Sequence, residues 1–408
     1  MDDTTIETVR FHNHGMIGAW LIGEEEAREC GEVIASRSLF RHYGIDLLHK
    51  ALRFEEEICG VLGTSHALAV NSGTSALRCA LTAMNIAPGD EVIVPACTFV
   101  ATANAVALAG GVPVFAEIDD SLGLDPDLLY QRISSRTVGI MPVHLQGVGC
   151  RIDAIMEFAR PHGLWVVEDA AQGFGVSIGG RHAGTFGDAG VFSLQAHKTI
   201  TCGEGGVMVT GDEDIYRRAR RYQDQGGERD GDDYPSWECE ESGFGENLKM
   251  SELHAAVALA QLRKLSVLRE AMQRAHGRLA ERVDLRGRGL RYDPSGDGSI
   301  PYGLIFFAHD VADRDRIFAL LEEREIPRDG LYSDPVYRLR PYQRWARGER
   351  VAGLPQLGLR PEFTPCPRSE QLMERIVRIP LSPAYTDHDV DMLAEAINAA
   401  LAEAEVGR

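Results

Sequence analysis

Lysine is nearly absent from this chain. Of 42 basic side chains in 408 residues, only Lys50, Lys198, Lys249 and Lys264 are lysines, and arginine supplies the rest. A codon bias would do this, but a reaction that needs a neutral amine cannot use a guanidinium, so each lysine is a candidate for chemistry. Long apolar runs are missing as well. None approaches the roughly 18 to 20 residues that span a bilayer, and the opening MDDTTIETVRFHNH lacks the charged-then-apolar order of a secretory leader. No membrane partner is expected, and the cytoplasm is the expected compartment. Positive charge is in deficit: 61 acidic residues outnumber the basic ones, giving a net charge of −19. Nucleic acid and anionic surfaces would be repelled, which moves small-molecule chemistry forward. The eight cysteines are scattered, with no CxxC pair and no histidine cluster at metal spacing. That pattern excludes a disulfide framework and a zinc site, so reduced thiols and no metal are expected.

What is present is enough apolar content, 44%, for a sizeable core, read as one large domain plus a smaller one. Helical periodicity marks residues 24–36 and 47–60. The chain then alternates: SHALAVNSG, EVIVPACTF, VPVFAEID, TVGIMPVHLQG, LWVVEDAA, AGVFSL and GGVMVTGD read as strands, with helical stretches such as TSALRCALTAMNI and RIDAIMEFARPHG between them. Short, continuously apolar strands alternating with helices signal an α/β fold, a mostly parallel sheet sandwiched by helices. From Gln223 to Asn247 the pattern stops in a polar, acidic stretch that reads as a long loop. One helical stretch is expected from Ser251 to beyond Arg274, then a strand IPYGLIFFAHD, a helix DRDRIFALLEERE and a terminal helix DHDVDMLAEAINAALAEAE. Residues 1–264 are assigned to the large domain and 265–408 to a smaller α+β domain.

In open parallel sheets, ligands sit beyond the carboxyl ends of the strands. Four strand ends carry unusual residues. NSGTSAL, residues 71–77, ends a strand in glycine and opens a helix with Thr74 and Ser75, offering N–H groups and hydroxyls to a phosphate, or only a helix cap. VVEDAAQGFG puts Glu168 and Asp169 at the end of a buried strand, where a carboxylate needs a cation, a ligand or a structural ion pair. Phe99 in PACTFVAT is core or a stacking surface, and FSLQAHKTITCGEGG joins Ser193 and Lys198 to a glycine turn. One ligand accounts for all four together. Pyridoxal 5'-phosphate has a phosphate, a stackable ring, a pyridinium nitrogen that wants a carboxylate and an aldehyde that wants an amine.

Together with PGDEVIVPACTFVAT, GTFGDAGVFSLQAHKTITCGEGG and ENLKMSELHAAVALAQL, these motifs resemble the DegT/DnrJ/EryC1/StrS family of sugar and cyclitol aminotransferases, which have aminotransferase fold type I. The resemblance implies that Lys198 is the Schiff-base lysine, Asp169 the partner of the ring nitrogen, Gln172 the neighbour of the ring hydroxyl and Phe99 the stacking face. It implies that Gly73, Thr74, Ser75 and Ser193 hold the phosphate. Asn247 would reach the phosphate of a second subunit, making a homodimer with shared sites. The implied reaction moves an amino group from an amino-acid donor, glutamate or glutamine, to a keto-sugar or keto-cyclitol. A sugar dehydratase or lyase, which some relatives become by replacing this lysine with histidine, and a cofactor-binding regulator are the alternatives. The chain departs from the family at GVGCRID, residues 147–153, so a different sugar-contacting shell is expected. It also carries an acidic loop, 228–241, with Glu228, Asp230, Asp232, Asp233, Glu238, Glu240 and Glu241 against Arg229 alone, read as a solvated flap or as a rim for a cationic substrate.

Overall fold

The computed structural model describes residues 16–231, 234–355 and 358–406. Asp232 and Asp233 of the acidic loop lie outside the described residues. Strands β1 (His66–Val70), β2 (Glu91–Pro95), β3 (Val112–Ala116), β4 (Thr137–Ile140) and β5 (Trp165–Asp169) are followed by a small hairpin, β6 (Ser177–Ile178) and β7 (Arg181–His182), and by β8 (Ala189–Ser193) and β9 (Gly206–Thr210). Seven of them form one sheet in the order β1-β9-β8-β5-β4-β2-β3, parallel except for β9. Every residue of β2, β8 and β9 is buried, as continuous apolar strands covered on both faces must be.

Helices α1 (Glu24–Ser36), α2 (Lys50–Leu62), α3 (Gly73–Ala83), α4 (Ala101–Leu108), α5 (Ile152–Ala159) and α6 (Glu213–Gln223) accompany that sheet. Their starts are chemically marked. Ser72 accepts a hydrogen bond from the Ser75 N–H at the head of α3, and Asp212 accepts from the Asp214 and Ile215 N–H groups at the head of α6. Because the parallel strands share one direction, Asn71, Ala96, Met141, Ala170 and Leu194 all leave the sheet at the same edge. The reversed β9 brings its first residue, Gly206, to that edge too.

The single helix expected after Ser251 is two, α7 (Glu252–Leu262) and α8 (Leu265–Arg282). The break lies at Lys264, whose Nζ is drawn away to the Leu21 carbonyl at 2.7 Å and to Glu26 Oε2 at 2.8 Å. Beyond it, β10 (Gly289–Leu290), β11 (Gly303–Phe307) and β12 (Ile376–Pro380) form an antiparallel sheet, accompanied by α9 (Val311–Glu323), α11 (Pro367–Met373) and α12 (Asp387–Val406), while α10 (Arg340–Ala346) packs back on α4 and β3 through Tyr342 and Trp345. We propose Lys264 as the junction between the two units. Their apolar interiors are continuous: one buried cluster runs from Phe54, Phe174 and Phe192 under the large sheet to Leu268, Phe306, Ile379 and Ile397. All eight cysteines are free thiols, five of them buried.

Candidate active site

The strand ends enclose a cavity of about 620 Å³. Gly73, Thr74, Phe99, Asp169, Gln172, Ser193 and Lys198, singled out from sequence, all line it. They are brought there by the ends of β1, β2, β5 and β8 and by the segment after β8.

One wall is built from α3 and β8. An added Cβ on Gly73 would lie 2.7 Å from Ser193 Cβ, so glycine is required where the helix start meets the strand end. Ser72, not anticipated, lines the cavity beside Thr74. Ser75 does not: its hydroxyl donates to Asn71 Oδ1 at 2.6 Å and lies 2.8 Å from the Ser72 hydroxyl. The GEGG turn has two jobs. Gly203 takes φ 86°, which a side chain would resist, and Gly206 packs directly on the Ser72–Gly73 peptide, closing β9 against the helix start.

At the opposite side Asp169 is buried at the end of β5. The Thr102 hydroxyl donates to its Oδ2 at 2.8 Å, and the Ala171 N–H donates to its Oδ1 at 3.1 Å. Burial pushes its pKa up, opposed by those two hydrogen bonds and by the charge of Lys198. Behind it Glu168 has a structural part: it accepts from the Gly184 N–H at 2.8 Å, the Gly187 N–H at 2.6 Å and His144 Nε2 at 2.9 Å. His144 Nδ1 accepts from the Cys150 N–H, which puts the ring proton on Nε2.

The four lysines now separate. Lys50 Nζ donates to Glu29 at 2.5 Å and Glu32 at 2.6 Å, and despite burial these carboxylates hold its pKa above the ordinary lysine range. Lys264 bonds Glu25 and Glu26, which likewise outweigh burial, and Lys249 bonds Asp224. Lys198 Nζ makes no hydrogen bond among the described residues, and burial pushes its pKa down against the pull of Asp169. It alone is poised to present a neutral amine.

Phe99 lies on the cavity wall with 57% of its surface exposed, an unusual place for a phenylalanine that packs with no core. Gln172 joins a network that sequence reasoning missed. Its Oε1 accepts from Gln146 Nε2 at 2.8 Å, and its Nε2 donates to the Tyr332 hydroxyl at 3.1 Å. Gln146 in turn accepts from Arg378 Nη1 at 2.7 Å, and Arg378 pairs with Asp329. Gln146 itself has φ 54°, a left-handed conformation uncommon for a side-chain-bearing residue. Ile17, Tyr302, His197 and Glu204 also line it, Ile17 because the Gly18 N–H donates to the Lys198 carbonyl at 3.0 Å.

Three stretches named from sequence lie outside this cavity, Asn247 among them as a residue expected at a second subunit's site. Asn247 is exposed on the strip between α6 and α7 and does not line this cavity. Within residues 147–153, Gly147 packs on Ile300 and the Gly149 N–H donates to Ser295 Oγ at 2.7 Å, while Arg151 pairs with Asp119 and Asp127, and none of these residues lines the cavity. Nor does any described residue of the acidic loop: Glu228 and Glu241 both pair with Arg221, while Arg229 is buried on Asp224 beside Lys249. Among the described residues no helix is long and apolar enough to cross a membrane, and no group of three or more side chains could hold a metal ion.

A mostly parallel seven-stranded sheet, an antiparallel companion and a lysine aimed into a cavity at the strand ends define a fold type I aminotransferase. The chain belongs to the DegT/DnrJ/EryC1/StrS aminotransferase family, whose model matches residues 22–398. It is 33% identical over 396 residues to the spore coat polysaccharide biosynthesis protein SpsC of Bacillus subtilis (strain 168), covering 92% of this chain and 94% of that protein. It is 32% identical over 352 residues to a UDP-N-acetyl-3-dehydro-α-D-glucosamine 3-aminotransferase of Acidithiobacillus ferrooxidans, covering 85% and 87%. A crystal structure of DesI in the presence of its TDP-sugar product matches with a TM-score of 0.79 and 28% identity, over 96% of this chain and 94% of that one. The chain is thus a sugar aminotransferase by family.

Proposed function

We propose that this protein uses pyridoxal 5'-phosphate to transfer an amino group from glutamate or glutamine to a keto-sugar carried on a nucleotide, acting as a homodimer in the cytoplasm. The observation that carries the reading is Lys198, the one lysine whose Nζ makes no hydrogen bond among the described residues, in one cavity with the buried Asp169. The residues present fit the cofactor: the space that a Cβ on Gly73 would fill, the hydroxyls of Ser72, Thr74 and Ser193, the exposed face of Phe99 and the carboxylate of Asp169 answer its phosphate, ring and ring nitrogen. The nucleotide-sugar relatives support the acceptor class.

The bound cofactor supplies an electron sink that makes a proton on the reacting carbon removable. Asp169, its two oxygens fixed by Thr102 and Ala171, would hold a proton on the ring nitrogen. Lys198 would hold the cofactor covalently and, as a free amine, take and return the proton at the reacting carbon, a role that the lowering of its pKa by burial favours. Gln172, held by Gln146 and Tyr332, would donate to the ring hydroxyl. Ser75 acts one step back, orienting Asn71 and Ser72. Asn247 completes the phosphate site of the partner subunit. Incubating the purified protein with single amino acids and following conversion of the cofactor from its aldehyde to its amine form tests this reading, with glutamate or glutamine expected to be effective. No conversion by any amino acid would overturn it.

A further inference from the structure

The cavity must accept two unlike molecules in turn. The donor carries a carboxylate on the very carbon that reacts. The acceptor presents neutral hydroxyls around its reacting carbon, and its phosphates lie at least a sugar ring away. Among the described lining residues only one arginine, Arg378, is present, and it comes from the central position of β12. Its Nε donates to Asp329 Oδ1 at 2.8 Å, its Nη2 to Asp329 Oδ2 and its Nη1 to Gln146 Oε1 at 2.7 Å. Three of its five N–H groups are thus used and two remain. The pair is also fastened through the backbone, since the Asp329 N–H donates to the Arg378 carbonyl and the Arg378 N–H donates to the Asp329 carbonyl. Asp329 is further fixed by the Leu331 N–H at 3.0 Å.

We propose that Arg378 and Asp329 are the device by which one cavity serves both substrates: the remaining Arg378 N–H groups receive the donor's carboxylate, and Asp329, its counter-ion, accepts a hydroxyl of the sugar. The inference rests on the aminotransferase reading given above. An unpaired arginine would be a poor neighbour for a neutral sugar, because an uncompensated charge in a half-closed site costs solvation. A neutralised one keeps N–H donors in a fixed fork while its net field is weak. The cost is a looser grip on the carboxylate, which Asp329 opposes. Through Gln146 the same guanidinium is tied to Gln172, so donor docking is coupled to the group beside the cofactor ring.

The opposition between the two charges sets the test. Glutarate, a dicarboxylate with neither amino nor keto group, is titrated calorimetrically into the holoenzyme. Arg378→Ala should weaken its binding about ten- to a hundredfold, the worth of hydrogen bonds to a charged group. Asp329→Asn, which frees the arginine while keeping its shape, should tighten it several-fold. In the donor half-reaction the same Arg378→Ala should raise the KM for glutamate far more than it lowers the limiting rate. A pair that merely holds β12 in place predicts the reverse sign for Asp329→Asn, and glutarate affinity that falls or does not move in that variant overturns the proposal even if Arg378→Ala fails to fold. Weakened pyrophosphate binding with glutarate unchanged in Arg378→Ala also overturns it, assigning the arginine to the nucleotide. Cofactor conversion by glutamate in the wild type alongside either result leaves the aminotransferase reading standing; absence of any conversion removes both.

Discussion

Replacing Asp169 by asparagine separates folding from chemistry. The amide is nearly isosteric: its oxygen can keep the 3.1 Å bond from the Ala171 N–H, and its NH₂ can donate to the Thr102 hydroxyl now 2.8 Å from Oδ2. Burial raises the pKa of Asp169, so in the cofactor-free protein the native state holds this proton more tightly than the unfolded chain does. The sign follows by linkage. As pH rises from the ordinary carboxylate range through the raised native value, the wild type loses stability, at about 1.4 kcal/mol for each tenfold gain in proton affinity, and the asparagine variant does not. Urea unfolding of the cofactor-free proteins at neutral pH should therefore find Asp169→Asn as stable as the wild type or more so. Turnover should fall by about 10²- to 10³-fold, near 3 to 4 kcal/mol of barrier, the usual cost of deleting one preorganised electrostatic partner. The assay is single-turnover conversion of the cofactor with glutamate. Near wild-type rates would show that another group keeps the ring nitrogen protonated, and a loss of several kcal/mol in the urea experiment would make Asp169 a structural carboxylate.

Lys198→Ala should yield a protein that takes up pyridoxal phosphate without a covalent link, so borohydride treatment should leave no cofactor on the chain; a reduced adduct at another lysine would remove Lys198 from its role. Gly73→Ala forces Ser193 aside from a 2.7 Å approach, and equilibrium titration should show cofactor affinity falling at least tenfold, with a stability cost of about 1 to 3 kcal/mol; unchanged affinity would detach this wall from phosphate binding. Mixing Lys198→Ala and Asn247→Ala chains should restore activity, because one site of each heterodimer is then intact. Heterodimers without activity would mean that sites are not shared.

The large sheet was legible because its strands are apolar on both faces and their ends carry residues that no core needs. Lys198 stood out by rarity, and Asp169 by the cost of a carboxylate after two valines. The rest of the site was hidden for physical reasons. Asp329 and Tyr332 sit in a stretch with no periodicity, and Arg378 lies in a strand where an arginine reads as solvent-facing. Thr102 looks like one more small residue of α4, and only the fold puts its hydroxyl on Asp169. Ser75 shows the converse: its place in the motif is right, but the helix turns its hydroxyl back onto Asn71. The break at Lys264 coincides with bonds to carboxylates more than two hundred residues away, which local pattern cannot report.

A single apolar cluster reaching from Phe54 to Ile397 means that the two units cannot swing apart like the shells of a clam. Opening a cleft between them would expose part of a shared interior, so substrate must enter and leave past small side-chain and loop movements at the rim. The same continuity limits engineering. A chimaera that joins this N-terminal half to a relative's C-terminal half would cut through packed side chains at Leu268, Phe306 and Ile379, and would have to be repacked before any change of sugar preference could be measured.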